Sequence, residues 1–133
     1  MKIHYDSQGL NIELSNVFPK DEALAIKEFT LIGESTTKDD MDYHIILVVT
    51  NNTFTDNAIQ YKLISTNTDD NGEVAPSITE LKGIPTGENK EVFLGNATFK
   101  SPADNAIHTY NLEFYFPRSD VPEYILVNEL LEF

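Results

Sequence analysis

Apolar residues recur at every second position along most of this chain, which is the period of a strand with one buried face. The clearest alternation lies in IHTYNLEFYF, whose polar face carries Thr109, Asn111 and Glu113. The opposite face of this segment carries His108, Tyr110, Leu112, Phe114 and Phe116. We therefore predict a core strand at this place in the chain.

The same alternation, rich in Val, Ile, Thr, Tyr and Phe, predicts further strands. These segments are KIHYD, LNIEL, AIKEFTLIGE, DYHIILVVT, AIQYKLIST, SITELK, KEVFLGNATFK and YILVNELLEF. We expect KIHYD and LNIEL to form an opening hairpin, which FPKDEA then interrupts. DYHIILVVT is apolar on both faces and is expected to be a central strand. DEALAIKEF and YILVNELLEF also suit short helices.

The spacing of these segments predicts the fold class. About nine strands, separated by turns rich in Asn, Asp, Gly and Pro, are typical of an all-β, antiparallel β-sandwich of the immunoglobulin-like or jelly-roll-like kind. Without a repeat or a linker, the chain of 133 residues is expected to be a single domain. Gly95 within its segment predicts a bulge, and Pro76 before SITELK predicts an edge strand.

The charge of the chain restricts its partners. With 22 acidic and 9 basic residues, the net charge is −13. Because the closest basic residues in sequence, Lys20 and Lys27, are still seven positions apart, we expect no basic patch for nucleic acid or for an anionic membrane.

Composition excludes several kinds of chemistry. The chain has no cysteine, which rules out disulfides, thiolate metal sites and cysteine nucleophiles. The opening MKIHYDSQGL has no apolar signal run, and no stretch is apolar enough for a membrane span. We expect a protein that is cytoplasmic or assembled into a particle such as a virion.

The segment NTDDNGEVAPSI partly matches a calcium-binding loop. Its first, third, fifth and sixth positions hold Asn67, Asp69, Asn71 and Gly72. The twelfth position, which needs a bidentate glutamate, is Ile78. We therefore expect a hairpin turn and no metal or cofactor, because Asn, Asp and Gly suit left-handed turn positions. Asp69, Asp70 and Asn71 remain weak candidate calcium ligands.

No catalytic arrangement is evident from the residues. His4, His44 and His108 lie on separate predicted strands, where packing is the expected role, and no nucleophile motif accompanies them. We predict that the protein is not an enzyme and that it has no catalytic residue.

Two regions and one aromatic residue are the candidates for contact with a partner. Asp39, Asp40 and Asp42 form an acidic turn before DYHIILVVT, and Tyr115 lies on the minority face of its strand. The apolar end of the chain, with Leu130, Leu131 and Phe133, is expected either to pack on the core or to meet a partner.

By elimination, we expect a non-catalytic acidic module that binds another protein, with no direct nucleic-acid or membrane contact. A structural or decoration protein of a virus or phage particle is the first interpretation, by analogy with other β-sandwich domains. A small acidic inhibitor that blocks a nucleic-acid-binding host enzyme is an alternative. A surface adhesion or carbohydrate-binding module is another. The partner and the oligomeric state are left open.

Overall fold

A computed structural model gives the fold of the chain. It describes residues 2–6, 13–15, 20–36, 38–54, 57–117 and 130–132, with side chains within 20–36, 38–54 and 57–117. Within this part of the chain, the structure is all-β and has no helix, so none that is long and apolar enough to cross a membrane.

The strands follow the alternating segments of the sequence. They are Lys2–Asp6 (β1), Glu13–Ser15 (β2), Lys20–Ser35 (β3), Met41–Asn52 (β4), Gln60–Asn67 (β5), Ile78–Gly83 (β6), Gly87–Phe99 (β7), Ala103–Phe116 (β8) and Leu130–Glu132 (β9). They form two antiparallel sheets. Sheet A has the order β1-β3-β8-β5-β6, and sheet B has the order β2-β9-β4-β7.

The opening of the chain differs from the sequence prediction. β1 pairs with β3 in sheet A, whereas β2 pairs with β9 in sheet B, so the two segments do not form a hairpin. FPKDEA does not fully separate the strands either. β3 already begins at Lys20, within this segment, and continues as strand through and beyond DEALAIKEF. A register shift between Lys20 and Ala25 accommodates the irregular start of β3 against β8.

Buried side chains of both sheets form one core. Phe29 and Leu31 of β3 contribute from sheet A, and Leu47 and Val49 of β4 contribute from sheet B. The ring of Phe99 on β7 stacks on His108 of β8, with centroids 3.9 Å apart. The alternating residues of β8 are buried as predicted, namely His108, Tyr110, Leu112, Phe114 and Phe116. The two sheets therefore pack face to face.

Two sequence predictions about local geometry are confirmed. β6, which follows Pro76, lies at the edge of sheet A. The β4–β7 register shifts between Ile45 and Ile46, opposite Gly95, where a bulge was predicted. Gly95 has a positive φ of 159°, and a Cβ there would lie 2.8 Å from the Cβ of Ala75. The bulge thus lets the loop before β6 pack closely on β7.

A buried polar side chain closes the end of β4. Asn52 is almost fully buried. Its Nδ2 donates to the carbonyl oxygens of Ile84 (3.2 Å) and Pro85 (3.0 Å), and its Oδ1 accepts from the Phe54 N–H (3.0 Å). By bonding these three main-chain groups, this one amide ties the end of β4 to the β6–β7 connection.

Candidate functional surface

The side chains of β4 and β7 that point away from the core form the most distinctive exposed surface of the described chain. Strand alternation sends every second residue of each strand outward, and the antiparallel register places these residues side by side. We call this surface the outer β4–β7 face. It is formed by Asp42, His44, Ile46 and Val48 of β4 and by Glu91, Phe93, Asn96 and Thr98 of β7.

The centre of the outer β4–β7 face is apolar. Ile46, Val48 and Phe93 are 41%, 52% and 58% exposed, and Ile46 is the register partner of Phe93. The His44 ring extends this strip, with its centroid 6.4 Å from that of Phe93. Single exposed apolar residues are ordinary on protein surfaces, but neighbouring large ones commonly mark an interaction site.

The strip is polar at both ends. At one end the Thr98 hydroxyl donates to Asp42 Oδ1 at 2.8 Å, and at the other Glu91 is paired with Val48. A shallow cavity of about 350 Å³ lies at the Asp42 end. It is lined by Asp42, Tyr43, His44, Asn96, Ala97 and Thr98. The chemistry available on this face is therefore an apolar contact framed by carboxylate, amide and imidazole groups.

The structure separates the three aspartates that the sequence analysis grouped together. Asp42 belongs to the outer β4–β7 face, whereas Asp40 lies in the β3–β4 connection and binds the β7–β8 connection. Its carboxylate accepts from the Ser101 N–H at 3.0 Å and from Lys100 Nζ at 3.1 Å, and these bonds lower the pKa of Asp40. Asp39 is exposed in the same connection. Asp40 therefore has a structural role in joining two connections.

The candidate calcium loop is held by its own hydrogen bonds. Asp69 Oδ2 accepts from the Ile107 N–H at 2.9 Å. Asn71 Oδ1 accepts from the Lys100 N–H at 2.8 Å. Asp70 and Gly72 have the positive φ values of a turn, 54° and 70°. No group of three or more His, Asp or Glu side chains suited to a metal occurs among the described residues.

This loop joins β5 and β6, which pair as antiparallel neighbours, so the predicted hairpin connection is present, but the loop is longer than a tight turn. It leaves β5 and crosses to sheet B, where Glu73 and Thr98 exchange backbone hydrogen bonds of 2.9 and 2.8 Å. A Cβ on Gly72 would lie 1.9 Å from the Thr98 carbonyl oxygen. Glycine is therefore required at Gly72 both for its φ and for this close approach.

Tyr115 lies on the outer surface of sheet A, the sheet opposite the outer β4–β7 face. Its hydroxyl donates to Glu113 Oε1 at 2.6 Å, which raises the pKa of Tyr115. Lys62 Nζ lies 5.1 Å from the centre of the ring. The residue is thus engaged by its own sheet, and a partner on sheet B would not contact it.

The terminal candidates lie elsewhere on sheet B. Leu130 and Leu131 belong to β9, and Leu131 is the register partner of Asn52 at the far end of β4. Phe133 lies outside the described residues. Leu130 and Leu131 are therefore on the same sheet as the outer β4–β7 face but beyond its apolar strip.

The residues at the centre of the outer β4–β7 face are not among the candidates predicted from the sequence. Ile46 and Val48 were interpreted as the second buried face of a central strand, because both faces of DYHIILVVT are apolar. In the structure, β4 does lie inside the sheet order, but only the face with Leu47 and Val49 is buried. The signal was present, since β4 and its partner Phe93 carry more apolar residues than one buried face requires.

Comparison of the chain with protein-family models, with curated proteins and with solved structures gave no significant match.

Proposed function

We propose that the chain is a β-sandwich of the jelly-roll type and a non-catalytic acidic module that binds a partner protein in a virus or phage particle. The strand pairing supports the fold. When β1 is set aside, the remaining strands pair as one long folded hairpin, with β2 against β9, β3 against β8, β4 against β7 and β5 against β6. Such nested pairing is the arrangement of a jelly roll, which viral capsid domains use.

The observation that carries the binding proposal is the exposed strip of Ile46, Val48 and Phe93. Exposed neighbouring apolar side chains are costly in water, and a partner that covers them gains roughly 25 cal/mol per Å² of buried apolar area. The carboxylates of Asp42 and Glu91 frame the strip. The chemistry that would complement it is a protein surface with an apolar centre and basic residues around it.

Docking through this face is favoured over strand addition at the β6 or β7 edge. The edge strand β6 is almost entirely exposed and carries Glu80 and Lys82. The edge strand β7 carries Glu88, Lys90 and Glu91. Charged side chains on edge strands are a common protection against pairing with another strand. The particle interpretation rests on fold-level analogy, and the binding surface rests on the residues themselves.

The experiment compares two exposed apolar residues on opposite sheets. Phe93→Ser alters the outer β4–β7 face, and the matched control Ile26→Ser alters sheet A, where Ile26 is 60% exposed. Each protein would be used for affinity purification from its native source, with mass spectrometry of the recovered proteins and of purified particles. We expect Phe93→Ser to lose at least tenfold of the partner recovered with the unaltered protein, and Ile26→Ser to retain it.

Stability must be measured in parallel. Because Phe93 is more than half exposed, Phe93→Ser should cost only about 1 kcal/mol, a shift of a few degrees in the melting midpoint. Equal partner recovery by both variants would refute the binding face. Recovery of a nucleic-acid enzyme would favour the inhibitor alternative, and binding to glycans in place of protein would favour the carbohydrate alternative.

A further inference from the structure

A buried histidine joins the two sheets and the loop between β5 and β6. His108 of β8 is fully buried, and both of its ring nitrogens are hydrogen bonded. Nδ1 lies 2.7 Å from the Tyr43 hydroxyl of β4, and Nε2 lies 2.7 Å from the carbonyl oxygen of Asn71. The Tyr43 hydroxyl also lies 2.5 Å from that of Tyr110, which accepts from the Ala75 N–H at 3.0 Å.

These partners determine where the protons lie. A carbonyl oxygen only accepts, so Nε2 of His108 must carry a hydrogen that it donates to Asn71. In the neutral ring Nδ1 accepts, and it receives the Tyr43 hydroxyl hydrogen. Tyr43 then accepts from Tyr110, and Tyr110 accepts from Ala75. Every group in this chain of hydrogen bonds is satisfied only while His108 is neutral.

Protonation of His108 would reverse the direction of the hydrogen bonds that join His108, Tyr43 and Tyr110. Nδ1 then carries a hydrogen and donates to Tyr43, whose hydroxyl must turn to donate to Tyr110. Tyr110 Oη would accept two hydrogen bonds, and its own hydrogen would lose the acceptor that it had. A charge would also be placed among buried rings, including Phe99 stacked on the imidazole. The burial of His108 lowers its pKa, although the Asn71 carbonyl and Asp69 act in the opposite direction.

The groups that face His108 come from each element packed around it. β4 contributes Tyr43 and β8 contributes Tyr110, and burial raises the pKa of both above that of an ordinary tyrosine. β7 contributes the uncharged ring of Phe99. The loop contributes Asp69, the charged group whose field favours the protonated ring. At pH 5 to 8, His108 and not a tyrosine is therefore the group in this network that can change charge.

The loop depends on this network for its position. Asn71 gives its carbonyl to His108, and its side chain binds the main chain of Lys100 through both the N–H and the carbonyl oxygen. Two residues later, Glu73 pairs with Thr98 of β7. A protonated imidazole is stable in water but not in its buried site, so it gains most when the loop opens and admits solvent.

We propose that residues 68–75 form an acid-released latch, which His108 holds closed between the two sheets when its ring is neutral and which opens when the ring gains a proton. Opening the latch frees the β7 edge at Thr98. This inference does not depend on the proposed docking function, because it rests on the hydrogen bonds of the buried network.

The test is made on the unaltered protein by NMR. Imidazole ¹H–¹⁵N spectra would identify the proton on Nε2 of His108, and hydrogen exchange would follow the amides of Asn71, Glu73 and Leu112 at pH 7.5 and 5.0. If the open loop has a histidine of ordinary pKa near 6.5 and the ring in the closed protein stays neutral, the opening constant should rise about 30-fold between pH 7.5 and pH 5.0. The lower pH, 5.0, is still above the isoelectric point of about 4.4 that the sequence gives.

The loop amides must respond before the core does. We expect Asn71 and Glu73 to exchange through an opening that is more frequent than that of Leu112 at both pH values. Equal opening constants for all three amides would mean that His108 titrates only on global unfolding, and the proposal would be overturned. A charged His108 in the closed protein at pH 6, or a proton on Nδ1 alone, would also overturn it.

Three variants assign the effect to His108. Tyr43→Phe removes the donor to Nδ1 and should raise the pH at which the loop opens. Asp69→Asn keeps an acceptor for the Ile107 N–H but cannot titrate, and His44→Gln removes an exposed histidine. Both of these should keep the 30-fold response. Loss of the response in Asp69→Asn would transfer the switch to Asp69 and refute the role of His108, even if Tyr43→Phe did not fold.

Discussion

The buried amide of Asn52 allows a sharp test of the fold. Asn52→Asp preserves the size of the side chain but exchanges a donor of two hydrogen bonds for an acceptor. The carbonyl oxygens of Ile84 and Pro85, 3.2 and 3.0 Å from Nδ2, would then face a carboxyl oxygen. Because no cavity is created, any loss of stability reports on hydrogen bonding and charge at this one place.

The loss of stability caused by Asn52→Asp depends on pH. At low pH the protonated carboxyl can donate to one carbonyl, so about one buried hydrogen bond is lost, at a cost of about 1–3 kcal/mol. At pH 7 the unfolded chain has an ionised aspartate with a pKa near 3.9. Keeping the group protonated when folded then costs up to about 4 kcal/mol more. Since the folded pKa is raised, the penalty of Asn52→Asp is smallest below pH 4 and grows as pH rises, until the folded group ionises.

The assay is urea unfolding followed by circular dichroism, at several pH values above the isoelectric region. Asn96→Asp is the matched control, because it makes the same chemical change at an exposed position of β7 and should alter the free energy of unfolding by less than about 0.5 kcal/mol. If Asn52→Asp were as stable as this control at pH 7, or if its penalty did not vary with pH, the buried hydrogen-bond role of Asn52 would be refuted.

Two further predictions concern the loop between β5 and β6. Gly72→Ala should cost at least about 2 kcal/mol, because it combines a left-handed φ with a clash against the Thr98 carbonyl. Gly87→Ala is also strained by a positive φ of 123°, but its Cβ would meet only the flexible Lys90 side chain. It should therefore cost less in the same urea assay, and the reverse order would contradict the packing at Gly72. Added calcium should leave the melting midpoint unchanged relative to chelator, because Asp69 already binds a main-chain N–H. If calcium stabilised the protein by more than about 2 kcal/mol, a specific calcium site would be present after all.

The parts of the fold that the sequence predicts are those in which one local pattern determines the outcome. β8 was predicted residue by residue, because a strand between β3 and β5 in sheet A must bury one face, and its alternation has no other interpretation. Gly95 and Pro76 also gave correct predictions. The bulge at Gly95 and the edge strand after Pro76 each follow from the backbone properties of a single residue.

The parts that were missed depend on long-range pairing. Nothing within KIHYD or LNIEL states that β1 pairs with β3 and β2 with β9, because short strands with turn residues between them form a hairpin by default. The hydrogen bonds of Asn71 to His108 and Lys100 join positions far apart in sequence. The same limit applies to Ile46 and Val48, whose exposure depends on what covers sheet B.

The distribution of charge bears on the kind of partner that the outer β4–β7 face would accept. Between Asp42 and Glu91 the face carries only uncharged or weakly basic side chains, although the whole chain has a net charge of −13. Two copies that met through this face would bring two strongly acidic bodies together, and the apolar contact would have to overcome their repulsion. A basic partner would gain both from electrostatic attraction and from the apolar contact. The acidic protein attracts such a partner to the face, where Phe93 can be buried. The same acidity that argues against nucleic acid thus favours a different protein over a second copy of this one.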